Sequence, residues 1–279
     1  MREITVLTHR NPEDTSEALR RVAALAVAAG VTLRLDEEET RKHDLREAPG
    51  VELNAPLKDD VELCLVLGGD GTILRALQIY AGSGVPVFAV NFGEIGFLAT
   101  IEPPELERGM ERALSGDFEL LRLPAIVLEQ PRGLAINDVA VHRKVGERVA
   151  EIAYAFEGEV LGSVRCDGLV VSTPAGSTGY NLANGGPVMA WGVEGFLVSF
   201  IAPHSLSARA LVVAPGDRLT IHNRSHQTLD IALDGRPAGE IPAGESIDAT
   251  FAGEVGTIAQ LPGATFYRRL AEKFGRLAS

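Results

Sequence analysis

Four stretches of the 279-residue chain gather side chains able to do chemistry. The first is Gly68-Gly69-Asp70-Gly71-Thr72, directly after the apolar run Val61–Leu67. Glycines let backbone N–H groups approach a phosphate closely, and a helix opening at that point favours the anion. The loop lacks the Gly-Lys-Ser/Thr of a Walker A motif and the pattern of a dinucleotide turn. Asp70 is out of character in an anion-attracting loop. Its carboxylate reads either as a turn or N-cap residue ahead of Thr72, or as a group serving proton transfer or a metal.

The second stretch, Asn91-Phe92-Gly93-Glu94-Ile95-Gly96-Phe97-Leu98, again sets a glycine loop after a buried-strand run. Two such loops after neighbouring parallel strands can line one crevice. The third is Asn137-Asp138, between Ile136 and Val139. A carboxamide beside a carboxylate can bind the donor edge of a base or ribose hydroxyls, and it is equally a common turn pair. The fourth runs from Arg165 to Pro187 and gathers Arg165, Asp167, several hydroxyl residues and Tyr180 around small residues. It offers backbone donors, a close approach, and an aromatic ring for stacking.

These segments need elements to position them. Ile4–Thr8, Val31–Leu35, Val61–Leu67 and Pro86–Asn91 read as strands. Between them, helical periodicity runs from Glu13 to Ala29, ended by Gly30, and from Thr72 to Tyr80. Pro103–Ser115 opens another helix with prolines. Strand–helix alternation with buried strands predicts an open, mostly parallel, Rossmann-like α/β domain over residues 1–119. Residues 36–60 are charged and turn-rich with no clear apolar face, and read as a mobile loop or a poorly packed insert. From 120 to 261 short strand-like runs predict an all-β, sandwich-like domain. Within it Glu151–Phe156 and Val160–Val164 form a hairpin, and Leu211–Ala214, Arg218–His222, Thr228–Leu233 and Ser246–Phe251 continue the series. Phe266–Leu277 has the spacing of a terminal helix.

Composition narrows the function. Lys and Arg number 26 against 38 Asp and Glu, a net charge of −12. That argues against nucleic-acid or anionic-membrane partners, which call for a basic face. Cys64 and Cys166 stand in apolar runs and read as buried thiols in a reducing compartment. His222 and His226 flank what reads as a polar hairpin, and no metal site is expected there or elsewhere. The amino terminus lacks an apolar leader, and no run reaches the roughly 18 apolar residues of a membrane span. A cytoplasmic protein is expected.

Taken in order, the motifs resemble those of the NAD kinase family, which phosphorylates NAD to NADP. They are Gly-Gly-Asp-Gly-Thr at 68–72, Asn-x-Gly-x-x-Gly-Phe-Leu at 91–98 and the Asn-acid pair at 137–138. Asp167-Gly168 with Thr-Pro-x-Gly-Ser-Thr-x-Tyr at 173–180 and Pro203-His204-Ser205-Leu206-Ser207 complete the set, spanning about residues 60–236. Lipid kinases and phosphofructokinases carry similar Gly-Gly-Asp-Gly loops; the later segments are the specific ones. The resemblance implies that Asp70 is the general base at the 2′-hydroxyl of the adenosine ribose. Gly68, Gly69, Gly71 and Thr72 would shape the donor phosphate site, with Mg²⁺ accompanying ATP or polyphosphate, and Arg75 would contact nucleotide. Asn137 and Asp138 would bind the NAD nucleosides, with Asp138 standing where the family more often has Glu. Arg165 and Asp167 would lie near the dinucleotide. Thr178, Gly179, Tyr180, Asn181, Leu182 and Ala183 would form the adenine and ribose turn. Gly179 replaces a usual alanine there, and Ala183 a frequent serine. Ala202 would line the nicotinamide side, and His204 reads as a hydrogen-bonded loop residue. Arg236 stands where glutamine is common and adds a positive charge near substrate. The resemblance further implies a homodimer or homotetramer, and a C-terminal helix, 262–279, packed on the first domain. The alternatives are a small-molecule or lipid kinase sharing the loop, and a catalytically silent dinucleotide sensor.

Overall fold

In the computed structural model, which describes residues 2–275, the four aliphatic runs of the first half become parallel strands. The chain opens with β1 (Arg2–Thr8), α1 (Ser16–Ala28), β2 (Val31–Arg34), α2 (Glu37–Lys42) and β3 (Val51–Glu52). It continues through β4 (Leu63–Gly68), α3 (Asp70–Ile79), β5 (Val87–Asn91) and α4 (Leu106–Ser115). Strands then dominate: β6 (Glu119–Leu128), β7 (Gly133–Ala135), β8 (Asp138–Arg143), β9 (Ala150–Phe156), β10 (Glu159–Cys166) and β11 (Gly168–Ser172). The short α5 (Tyr180–Ala183) precedes β12 (Phe196–Ile201), β13 (Leu211–Val213), β14 (Leu219–Asn223) and β15 (Leu229–Leu233). The chain ends with β16 (Arg236–Ile241), β17 (Ser246–Gln260) and α6 (Phe266–Phe274).

Two units result, one of residues up to Arg122 with those from Gly256 onward, the other Leu123–Val255. In the first, β5-β4-β1-β2-β3 pair in parallel, and Ile258 of β17 adds to Val87 of β5. Alternate strand residues (Ile4 and Val6, Leu63, Leu65 and Leu67, Phe88 and Val90) share one apolar cluster with Leu19 and Val22 of α1 and Leu106 and Met110 of α4. Period 2 on the strands and period 3.6 on the helices thus meet at one face. Each such fully buried aliphatic side chain contributes about 1.5–3 kcal/mol. The strand order reverses at β1, so the carboxyl ends of β1 and β4 form the crevice where open α/β sheets bind ligands.

In the second unit β10-β9-β14 and the start of β17 make one antiparallel sheet, and β13-β12-β11-β8-β15-β16 make another. Val139, Val171, Phe196 and Ile231 from one and Ile152, Leu219, Ile221 and Ile247 from the other share a core. That is a β-sandwich. The 9–10 hairpin turns at Glu157 and Gly158, both with positive φ (49° and 84°), as a two-residue turn requires.

Three expectations are corrected. Residues 36–60 are not a loose insert. Asp36 caps α2 through Glu39 N, Glu39 is fully buried, and β3 pairs with β2. The segment docks through polar groups, invisible to an apolar-periodicity test. Glu39 accepts from Thr8 N (3.1 Å), Thr8 Oγ1 (2.6 Å) and Lys42 Nζ (2.8 Å). Nor do His222 and His226 flank a hairpin: β14 pairs with β9 and β17, whereas β15 pairs with β8 and β16. The connection crosses between sheets. The helix expected from Glu13 starts at Ser16, after a single 3₁₀ turn at Pro12–Asp14. Of the terminal helix, Arg276 and Leu277 lie outside the described residues.

Candidate active site

In the first unit, Gly68 closes β4 and Gly69 is the N-cap of α3, which makes Asp70 the first helical residue rather than part of a loop. The first two N–H groups of the helix, those of Asp70 and Gly71, have no carbonyl one turn back within it and are available to an anion, whereas Thr72 N already donates to Gly69 O at 2.9 Å. Gly69 and Gly93 touch backbone to backbone: a Cβ added at Gly93 would lie 2.7 Å from Gly69 Cα. Phe92 N donates to Gly68 O at 3.1 Å. The two glycine loops of the sequence are therefore one structure. Gly71, by contrast, faces open space.

Asp70 is held by the far end of the second loop. Its Oδ2 accepts from Phe97 N (3.0 Å) and its Oδ1 from Leu98 N (2.9 Å). An ionised carboxylate offers about four lone-pair sites, so two backbone donors orient it and leave capacity for a further proton donor. Asn91 braces the same loop, accepting from Gly93 N at 3.0 Å and donating to Glu102 at 3.0 Å. Gly96 has φ +65°, and a Cβ there would collide with the Asn91 side chain. Arg75 lies one turn along α3 and pairs with Glu38 of α2 at 2.5 Å. Sequence reasoning missed that partner because it left residues 36–60 without a role.

In the second unit Asn137 and Asp138 stand at the head of β8. Asp234, in the β15–β16 turn, holds them: its carboxylate accepts from Ile136 N (3.0 Å), Asn137 N (2.7 Å) and Asp138 N (3.1 Å). Asp234 and Gly235 both have positive φ (47° and 75°), the two-residue turn that an Asp-Gly dipeptide signals. The dipeptide announces the turn; nothing local announces that its carboxylate reaches residues a hundred positions earlier. The glycine-rich segment locks in from another side. Thr173 donates to Asn137 O (2.9 Å, from N) and Ile136 O (2.6 Å, from Oγ1), and a Cβ on Gly176 would sit 2.1 Å from Asn137 O.

Asp138 is only 7% exposed. Burial, and then the like charge of Asp234, push its carboxyl up to about 7. Tyr180 is 40% exposed, and its hydroxyl is raised by partial burial and then by Asp138 and Asp167. These three polar groups thus share one neighbourhood. Asn181 is fully buried and spends its amide on Ser177 O (3.0 Å) and Pro187 O (2.9 Å), so it shapes the turn rather than offering itself. Thr178 and Leu182 are half-buried; Gly179 and Ala183 are exposed. A Cβ at Gly179 would approach Gly176 O at 3.3 Å, a contact that glycine relieves. Asp167 pairs with Arg143 at 2.6 Å, which holds its carboxyl below the usual carboxylate range; the sequence reading did not include Arg143. Exposed Arg165 is tied by its carbonyl to His204 N at 2.7 Å. Ala202, also exposed, takes a left-handed φ of 44° that alanine rarely adopts. Arg236 is exposed at the start of β16, two residues after Asp234.

Comparison with known proteins follows the same division. Residues 4–118 match the model of the ATP-NAD kinase N-terminal domain, and residues 136–254 that of the ATP-NAD kinase C-terminal domain. An NAD kinase of Gemmatimonas aurantiaca is 33% identical over 98% of this chain and 95% of its own length. One from Heliobacterium modesticaldum is 37% identical over 84% of this chain and 85% of its own. Among solved structures, yeast NADH kinase complexed with NADH superposes with a TM-score of 0.88 at 22% identity, over 100% of this chain and 89% of that one. An NAD kinase from Archaeoglobus fulgidus in complex with ATP gives 0.73 at 25% identity, over 98% of each chain.

Proposed function

Since the chain belongs to the NAD kinase family, we propose that it moves the terminal phosphoryl group of ATP to the 2′-hydroxyl of the adenosine ribose of NAD, with Asp70 as general base. The observation that supports this is the geometry of Asp70, a carboxylate aimed by two backbone donors at a helix N-terminus with acceptor sites to spare. The 2′-O–H bond breaks as its proton passes to Asp70, and the oxygen forms the new bond to phosphorus. The bond from phosphorus to the bridging oxygen breaks, and ADP leaves with that electron pair. Protein groups supply positioning and charge stabilisation, which dominate phosphoryl transfer.

The donor phosphates approach the backbone of Gly68, Gly69, Gly71 and Thr72, where the helix start favours negative charge. Arg75 contributes once a phosphate competes with Glu38 for its guanidinium. Mg²⁺ arrives with the phosphates as part of the substrate. Among the described residues no cluster of three or more His, Cys, Asp and Glu side chains could hold a metal ion, and no step here runs through one. Polyphosphate, a chain of the same phosphoryl groups, is the alternative donor. On the acceptor side, Asn137 and Asp138 take the nucleoside hydroxyls and base edge. Tyr180 with Thr178, Gly179, Asn181, Leu182 and Ala183 forms the adenine and ribose turn, and Arg165, Asp167 and Ala202 complete the dinucleotide site. Arg236 biases the choice between NAD and NADH, or the response to NADP. Equal NAD and NADH kinetics with unchanged NADP inhibition in Arg236→Gln would remove that role. We take the enzyme to act in the cytoplasm as a homodimer or homotetramer; among the described residues no helix is long and apolar enough to cross a membrane.

The test is NADP formation from NAD, ATP and Mg²⁺, with polyphosphate in a parallel arm and Asp70→Asn assayed beside the native chain. Turnover that falls by roughly 10²–10⁴ in the variant while NAD binding is kept supports the reaction and the base. Tight NAD binding without turnover on either donor points instead to a silent dinucleotide sensor.

A further inference from the structure

The C-terminal helix reaches the loop that aims Asp70. Thr265 caps α6 by accepting from Arg268 N at 3.2 Å, and the helix then places two rings around Phe97. Phe266 meets it edge-on with centroids 5.9 Å apart, and Phe274 is tilted against it at 5.7 Å. Between them Arg269, only 8% exposed, donates through Nη1 to Phe97 O at 2.9 Å and also to Ala99 O. The two carbonyls bracket Leu98. The N–H groups of Phe97 and Leu98 are the two donors that hold Asp70. The guanidinium and the carboxylate therefore share one peptide unit, Phe97–Leu98: Arg269 takes its carbonyl and Asp70 its N–H, while Arg269 also holds Ala99 O and Asp70 also holds Phe97 N.

We propose that Arg269 is a positioning residue for Asp70, fixing the Phe97–Leu98 peptide and its neighbours so that the N–H groups of Phe97 and Leu98 aim the carboxylate. This rests on Asp70 being the base. Buried Phe266 and Leu270, with half-buried Phe274 against Phe97, already give α6 an apolar face, and burying a charge is expensive where a Met or Leu would anchor a helix without that cost. Burial does act on the guanidinium, lowering its proton affinity, and Asp70 is the largest of the charges opposing that. The segment it braces starts at Gly96, with positive φ, and a misplacement of a reacting group by about 1 Å is enough to cost about 10²-fold in rate.

The experiment compares the full chain with Arg269→Met, Arg269→Lys, Asp70→Asn and the Asp70→Asn/Arg269→Met double variant, reading kcat, the KM for NAD and for ATP, and Tm. The expected result is a kcat of Arg269→Met lower by about 10- to 100-fold with both KM values within about twofold. Arg269→Lys, which keeps the charge and can reach a carbonyl, recovers part of it. The double variant loses no more than Asp70→Asn alone. A native kcat in Arg269→Met, a loss confined to KM, or losses that multiply in the double variant overturns the proposal. If Arg269→Met fails to fold, Arg269→Lys alone and combined with Asp70→Asn carries the same comparison. Native turnover in Asp70→Asn is a different failure. It removes the base itself, whatever Arg269 does.

Discussion

The Gly68–Thr72 loop of the first unit and the Asn137–Asp138 head of the second both set an aspartate at the end of a β-strand, and they surround it in opposite ways. Asp70 follows a parallel strand and begins a helix, where two backbone N–H groups reach its oxygens. Asp138 begins an antiparallel strand whose own N–H is spent on Asp234, so burial and a neighbouring like charge act on it together. Parallel α/β architecture leaves donors at strand ends and suits anionic phosphate. The head of β8, an interior strand of its sheet in the second unit, buries side chains among interlocked loops and suits a neutral or donor-rich nucleoside.

The strongest way to break this contrast is through the glycines. Gly176→Ala drives a methyl into Asn137 O, and we expect a loss of about 3 kcal/mol or more with weakened NAD binding, read by denaturant melts and calorimetry. Gly71→Ala has open space at the first turn of α3; its melt should match the native chain within about 0.5 kcal/mol. Equal damage at both positions refutes the interlocking in the second unit.

Next comes Asp138→Asn. A carboxyl raised to about 7 from an ordinary 3.8 binds more protons folded than unfolded between those values, so stability falls as pH rises through that window. The penalty is complete above pH 7 and absent below about 4. The amide should therefore raise stability by about 4 kcal/mol at pH 8, with no gain at pH 4, by thermal melts at both pH values. A pH-independent difference contradicts burial as the cause.

A smaller effect on titration is expected from Asp234→Asn, where asparagine keeps the left-handed turn and removes the like charge, at the cost of the bond accepted from Ile136 N. The pH midpoint of NAD binding should move down from near 7, because the like charge that raises the Asp138 carboxyl is gone. An unmoved midpoint assigns the perturbation to burial alone. Smallest is Glu38→Gln, which removes a partly exposed pair worth about 0–1 kcal/mol and leaves Arg75 only the longer contact to buried Glu39 at 3.9 Å. The KM for ATP should fall no more than about fivefold, with the KM for NAD unchanged. A rise in the KM for ATP means Glu38 steers Arg75 toward the donor.

What the sequence by itself determined were features written in consecutive residues. Alternation and glycine punctuation marked the buried strands and the loops at Gly68 and Asn91, because strand period and turn geometry are local properties of the backbone. The ordered motifs from Gly68 to His204 marked the family. Tertiary structure alone decided which side chains complete each site. Residues 36–60 acquire order from Glu39 buried on Thr8, a polar contact with no periodic signature. Asp234 meets Asn137, Arg143 meets Asp167, and Arg269 reaches the loop that holds Asp70. Each pairing joins residues far apart in the chain, and a short-range pattern carries no record of them. They exist because sheet registers and helix packing bring distant strands and helices together, and the buried polar groups then need partners.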